Sequence, residues 1–370
     1  MDFHFLMPTE IFFGTECITQ HSDVFARYGK KALLITGKHS ARVSGAFADV
    51  EIALDRQSIN WEVFDGVGEN PTFAQVEAGV ALARSFEPDM IIAIGGGSPL
   101  DAAKAIAMLA TNEMPTAALF NGVYAMPPLP VLAIPLTAGT GSEVTPYAIL
   151  TDDEKQTKRS FATPENFPKV AFLDARYTAT LSEKVTIHTA VDALSHLAEG
   201  YLSRRATAPT DALVIAGMAA FAEVIASLKT GDFSADDREK LLYASLLGGM
   251  VIAQTGTTVV HAMGYSLTYF RHAPHGQANG LLMGAYLQYN LPVCGEKIAV
   301  LLKTLGLTDV DAFSALMTAL VGAGPVLSQE EVKQFAAIAI QANSVVWTAK
   351  VPDEADLAML LKMSLTVKQD

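Results

Sequence analysis

The sequence predicts a two-domain protein: an α/β half built on a parallel sheet over residues 1–180, and an all-helical half over 181–370. Three observations carry this. Short apolar runs alternate with helical patterns through the first half, as in βαβ units. After about Asp174 the β-branched runs thin out, and from Ser182 onward Ala, Leu, Met and Glu recur at helical spacing. Finally, 370 residues, half of them hydrophobic, exceed what one compact core usually holds.

The elements follow in order. MPTEIFFG reads as an edge strand able to pair across a two-fold axis. KKALLITGK is an apolar strand stopped by Gly37, and WEVFDGV is a short alternating run. TFAQVEAGVALARSF is helix-like, DMIIAIGGG is a buried strand with a helix starting at Pro99, and PVLAIPL is a further strand. Ser182-Glu-Lys-Val is a helix start. Ala212 to Leu228 is apolar but too short for a membrane span, and reads as a buried core helix. The tract Leu241 to Tyr265 carries Gln254, several Thr and His261, which suit a site inside a globular domain better than lipid.

Charge and cysteine usage exclude several function classes. Acidic residues number 39 against 26 basic, a net charge of −13, so neither nucleic acid nor an anionic membrane is expected as main partner. Cys17 and Cys294 read as free thiols in a reducing compartment. MDFHFLMPTE lacks the pattern of a secretory leader, so a cytoplasmic protein is expected, and the apolar content suits an oligomer.

Two small-residue loops follow predicted strands. In Gly95-Gly96-Gly97-Ser98-Pro99, Ser98 is placed as helix N-cap, Pro99 as first helical residue and Asp101 as the partner in a capping box. Glycines before a helix start leave backbone N–H groups open to a phosphate. Leu100 stands where the usual dinucleotide fingerprint has its third glycine. The second loop, Thr137 to Glu143, follows Leu136. Two such loops at the carboxyl edge of one parallel sheet favour a nucleotide site.

The second half carries a metal-binding pattern. Asp192 and His196, four apart on a predicted helix, share a face, and His261 and His275 lie in the neighbouring tract. Three imidazoles and a carboxylate suit a divalent first-row metal, not Ca²⁺ or Mg²⁺, and do not separate Fe²⁺ from Zn²⁺. His4, His21, His39 and His188 read as structural or exposed.

Taken together, GGGSPLDAAK, TAGTGSEVTP, VDALSHLAEGYLS and HAMGY with PHGQAN resemble the iron-containing alcohol dehydrogenase family, in order and from MPTEIFFG to past residue 290. The resemblance implies an N-terminal nicotinamide-cofactor domain of Rossmann-like type, a C-terminal metal-binding domain and an active site in the cleft between them. Asp192, His196, His261 and His275 match the metal ligands. Gly96, Gly97 and Ser98 match the pyrophosphate loop, with Asp101 towards the nicotinamide; Thr137, Ser142, Asn70, Ile149 and Lys158 match further cofactor contacts. The implied reaction is reversible hydride transfer between NAD(P)(H) and a small alcohol or aldehyde held on Fe²⁺ or Zn²⁺, in a homodimer or larger homo-oligomer. NAD-preferring members often carry an acidic residue where this chain has Gly37, followed by Lys38, His39 and Ser40, so NADP is expected to serve at least as well as NAD. Tyr265 and His272 are the catalytic candidates: Tyr265 stands where many members have a proton-transferring His, its ordinary pKa of about 10 makes it a poorer base, and either it only shapes the pocket or the proton leaves by water and the cofactor ribose. His272, Phe161 and Phe270 are further pocket candidates. Glycerol dehydrogenase and dehydroquinate synthase share the fold and a similar metal set, and a non-catalytic metal- or nucleotide-binding protein is a remote alternative.

Overall fold

The computed structural model describes residues 2–368. They form two compact units: Met7–Leu181, and the chain from Ser182 onward together with the segment up to Leu6.

In the first unit six strands make one all-parallel sheet. They are β1 (Glu10–Phe13), β2 (Lys31–Thr36), β3 (Asn60–Phe64), β4 (Met90–Gly95), β5 (Val131–Pro135) and, after a separate hairpin, β8 (Val170–Leu173). Their order is β1-β8-β5-β4-β2-β3. β4 is buried along its whole length and β5 likewise, as central parallel strands covered on both faces must be. One face packs on helix Ala46–Arg56 and its neighbours, the other on helices Phe73–Phe86 and Gly97–Thr111. The chain winds outward from β2 to β3, then returns to β4 on the other side of β2. That reversal, between β2 and β4, is where doubly wound sheets open a ligand crevice at their carboxyl ends.

β1 lies at the sheet edge, as the sequence suggests, paired in register Glu10 to Val170 through Phe13 to Leu173. Two features escape the sequence reading. β8 is one, although it joins β1 to β5. The other is the antiparallel hairpin of β6 (Ala148–Asp152) and β7 (Thr157–Phe161), in which Thr151 faces Lys158.

The second unit is helical among its described residues. Helix Glu183–Tyr201 starts at Ser182, whose hydroxyl accepts from the Val185 amide, and is buried all round from Ala190 to Tyr201. It packs on helices Ala208–Glu223, Ala235–Thr255 and His275–Thr304. Ala212 to Leu228 is not one core helix: the chain breaks at Val224 into Ala208–Glu223 and Ile225–Thr230, and the first buries one face, through Val214, Gly217, Met218 and Phe221. The bland apolar composition hid that one-sided stripe. Among the described residues no single helix is long and apolar enough to cross a membrane. The apolar pair Ala235–Thr255 and Val259–Arg271 is bent by 110°. Gln254 in that tract pins the N-terminal segment, its amide exchanging hydrogen bonds with the Leu6 N–H and carbonyl.

Candidate metal centre and cofactor loops

The two loops meet at the carboxyl edge of the sheet. The helix after β4 begins at Gly97, with Gly96 as N-cap and no side-chain cap. The expected roles of Ser98, Pro99 and Asp101 in a local cap are therefore corrected: all three lie beyond the first helical residue, Gly97, and tertiary partners claim the side chains of Ser98 and Asp101. Ser98 Oγ accepts from the Asn70 amide at 3.1 Å. Asp101 accepts from Ser142 Oγ at 2.5 Å and from the Ile149 amide at 3.0 Å. A Cβ on Gly97 would stand 2.8 Å from Thr140 Cγ2, and one on Gly96 3.1 Å from Thr137 Cγ2. Only bare backbone lets the two loops approach this closely.

Lys104, one turn beyond Asp101, ties the same loops together from beneath. It is fully buried, and its Nζ donates at 2.7 Å to the Ser142 carbonyl, the Ser142 hydroxyl and the Tyr147 carbonyl. Burial pulls its pKa down to about 8 despite Asp101 and Glu143 nearby. Burial likewise pushes the Glu143 carboxyl up to about 7 and raises that of Asp101. Asn70 adopts a left-handed conformation, φ 56°, and its carbonyl accepts from Thr151 Oγ1, which joins it to the β6–β7 hairpin carrying Ile149 and Lys158. Thus Asn70, Gly96, Gly97, Ser98, Asp101, Thr137, Ser142 and Ile149 form one connected cluster. Gly37, Lys38 and Ser40 follow β2, the strand beside β4, with Lys38 and Ser40 exposed.

In the second unit four predicted ligands come together. Asp192 and His196 sit on helix Glu183–Tyr201, His261 on helix Val259–Arg271, and His275 opens helix His275–Thr304. The Nε2 atoms of His261 and His275 each stand 3.6 Å from Asp192 Oδ1, and that of His196 stands 3.9 Å from it. A tetrahedral ion with ligands at about 2.1 Å needs donor atoms roughly 3.4 Å apart; the donor atoms of Asp192, His261 and His275 all lie within 4.8 Å of one another, His196 stands outside that tight group and reaches it through Asp192, and the N₃O donor set fits a divalent first-row metal. Asp192, His196 and His261 are buried, whereas the His275 side chain is 27% exposed and marks the open side. Close helix packing at Gly276 makes this possible: a Cβ there would overlap the His188 carbonyl.

The electrostatics call for a cation. Burial would raise the Asp192 carboxyl, but the His196, His275 and His261 imidazoles hold it far below the usual carboxylate range. Burial would lower His261, yet the Glu199 and Asp192 carboxylates push it up to about 9. A metal ion meets the same demand by displacing the proton on the nitrogen that faces Asp192.

Two members of this cluster escape the sequence reading. Glu199, fully buried, accepts from His261 Nδ1, and burial notwithstanding, that ring and Thr258 keep its carboxyl below the ordinary value. Asn279 Nδ2 donates to Asp192 Oδ1 at 2.9 Å and lies 3.1 and 3.4 Å from His261 Nε2 and His275 Nε2. The available signal was spacing: Glu199 lies seven residues after Asp192, and Asn279 four after His275, on the same helix faces as those ligands.

The remaining candidates lie elsewhere. Tyr265 stacks on His275, with ring centroids 5.8 Å apart. His272 is exposed, in a left-handed conformation at the end of helix Val259–Arg271, outside the convergent group. Phe161 is buried in the first unit against Phe120, and Phe270 stacks on Phe335.

A doubly wound sheet with two apposed phosphate-type loops, and a helical unit gathering three imidazoles on one carboxylate, define a metal-dependent, nucleotide-using enzyme. Comparison with known proteins gives the particular family. A family model described as "Iron-containing alcohol dehydrogenase" matches residues 8–175, and one for the C-terminal part of the Fe-containing alcohol dehydrogenase family matches 186–365. The lactaldehyde reductase of Escherichia coli K12 is 36% identical over 298 residues, 80% of this chain and 77% of that protein. The NADPH-dependent butanol dehydrogenase of Clostridium saccharobutylicum is 32% identical over 82% of this chain and 78% of its own length. The crystal structure of an iron-containing alcohol dehydrogenase from Thermotoga maritima is 37% identical, with a TM-score of 0.92 over 98% of this chain and 99% of that one. The chain belongs to the iron-containing alcohol dehydrogenase family. It is an oxidoreductase acting between alcohols and aldehydes with a metal and a nicotinamide cofactor.

Proposed function

We propose that this enzyme interconverts a small alcohol and its aldehyde, uses NADP(H) at least as well as NAD(H), and carries Fe²⁺, with Zn²⁺ a possible substitute, on Asp192, His196, His261 and His275. The convergence of three Nε2 atoms on Asp192 Oδ1 carries this reading. An ion held there supplies Lewis acidity to the substrate oxygen, lowering an alcohol's pKa or polarising a carbonyl. The chain's own side chains set the surroundings. Asp192, His196 and His261 are buried, so charges act there with little screening. Partly exposed His275 and the Tyr265 ring stacked on it border the open side, and we assign Tyr265 to shaping the substrate pocket. His272, exposed at its helix end, is assigned to the rim.

The cluster Asn70, Gly96, Gly97, Ser98, Asp101, Thr137, Ser142, Ile149 and Lys158 is assigned to the cofactor, its free loop backbone to the pyrophosphate. Gly37, Lys38 and Ser40 are assigned to the adenosine ribose: no acidic side chain follows β2 there to repel a 2′-phosphate, and Lys38 offers a cation. We further assign residues 1–180 to cofactor and 181–370 to metal, propose a homodimer paired through edge strand β1, and place the enzyme in the reducing cytoplasm, which suits its free thiols. The test is a panel of aldehydes with the iron-loaded enzyme, following the nicotinamide absorbance with NADPH and with NADH. A kcat/KM strongly favouring NADH overturns the cofactor assignment, and no turnover of any aldehyde or alcohol overturns the substrate class.

A further inference from the structure

We propose that Glu199 is the positioning residue that fixes which nitrogen of His261 faces the metal. The inference rests on the reading of Asp192, His196, His261 and His275 as metal ligands. Glu199 is fully buried, and four donors share its two oxygens. Oε1 accepts from the Thr258 amide at 2.9 Å, the Thr258 hydroxyl at 2.6 Å and the Val260 amide at 3.0 Å. Oε2 is left for His261 Nδ1 alone. The Thr258 hydroxyl is itself backed by the buried Tyr286 hydroxyl at 3.3 Å. The carboxylate is therefore locked by the first turn of the helix that carries His261, and it cannot rotate without stranding buried donors.

A carboxylate only accepts, so Nδ1 must carry the hydrogen. Nε2 then presents its lone pair inward. The far side of the ring agrees: Asn279 Nδ2, which can only donate, lies 3.1 Å from Nε2. A neutral imidazole with hydrogen on Nδ1 and a lone pair on Nε2, 3.6 Å from Asp192 Oδ1, is the ligand form. Glu199 thus does two jobs at once, holding the start of helix Val259–Arg271 and setting the tautomer of its third residue.

Glu199→Gln separates the jobs. Its amide oxygen can keep the three donors on the Oε1 side, while its NH₂ faces Nδ1 and makes that nitrogen an acceptor, forcing the hydrogen onto Nε2. The readout is Co²⁺ affinity, by the visible bands of the bound ion in competition with a chelator. His261→Ala serves as control, and ¹⁵N-histidine NMR of the metal-free protein above pH 10, where the His261 ring is neutral, reports the tautomer. The proposal expects Co²⁺ affinity to fall about 10–100-fold in Glu199→Gln, with the His261 hydrogen moved from Nδ1 to Nε2. Thr258→Val, which deletes one donor to Oε1 and leaves the carboxylate in place, should cost only a few-fold. Wild-type affinity in Glu199→Gln, while His261→Ala loses binding, overturns the proposal, as does an unchanged tautomer. If the wild-type protein binds no Co²⁺, or His261→Ala binds it normally, the ligand assignment itself fails. Should Glu199→Gln not fold, Thr258→Val and Glu199→Asp carry the test: normal affinity and an unchanged tautomer in both overturn the proposal.

Discussion

Lys104→Met removes a buried ammonium whose cost depends on pH, and the size of that dependence can be worked out. Lys104 is fully buried, donates to two carbonyls and a hydroxyl at 2.7 Å, and has Asp101 3.8 Å away. Burial brings its pKa from the ordinary 10.5 to about 8. Between those values the unfolded chain binds the extra proton, so native stability rises with pH across this window and is lost as pH falls through 8. Roughly 2.5 pH units at 1.36 kcal/mol each amount to about 3 kcal/mol. Methionine has no proton to shed, and it leaves two buried carbonyls without this donor, at about 1–3 kcal/mol each. At pH 7 the relief of the buried charge offsets much of that loss; at pH 10 it does not. The destabilisation by Lys104→Met is thus expected to be modest at pH 7 and larger by about 3 kcal/mol at pH 10. The assay is urea unfolding followed by Trp61 fluorescence in a Trp347→Phe background, since Trp61 alone then reports on the first unit. Equal destabilisation at the two pH values would refute the reasoning.

Further outcomes follow from the same structure. Gly97→Ala places a Cβ 2.8 Å from Thr140 Cγ2, so the loops must part; KM for the cofactor is expected to rise about tenfold, a strain of 1–2 kcal/mol, with kcat less affected. Gly37→Asp puts a carboxylate after β2, and the ratio of kcat/KM for NADPH to that for NADH should fall about tenfold or more; an unchanged ratio argues against the adenosine-ribose assignment. The Glu143 carboxyl, pushed by burial from 4.5 to about 7, keeps its proton longer in the native state. Wild-type stability therefore falls as pH rises through that window, and Glu143→Gln, which cannot ionise, should gain about 3 kcal/mol on the wild type between pH 4.5 and pH 7.5.

The sequence reveals those parts of the fold that rest on unbroken apolar runs. β2, β4 and β5 are buried on both faces and read as continuous hydrophobic text. β8 has only four residues, between Lys169 and Asp174, too few for a pattern. Of the β6–β7 hairpin, β6 offers only the short apolar run Ala148–Leu150, β7 (TKRSF) is largely polar, and the turn passes through Gln156 in a left-handed conformation without a glycine, so neither strand nor turn announces itself. Ser98 and Asp101 look like local caps because local rules see no further than a few residues; Asn70, Ser142 and Ile149 claim them instead. At the metal centre the ligands are visible through spacing and residue type. Glu199 and Asn279 are not, because their roles depend on which way neighbouring imidazoles turn.

The central claim is that Asp192, His196, His261 and His275 hold one divalent ion on which turnover depends. The most direct measurement is elemental analysis of oxygen-free preparations of the wild type and His261→Ala, paired with NADPH-dependent aldehyde reduction before and after chelation. The account predicts about one iron or zinc per chain in the wild type, metal and turnover lost together in the variant and on chelation, and recovery of the chelated wild type with Fe²⁺. Full turnover by metal-free protein would contradict it.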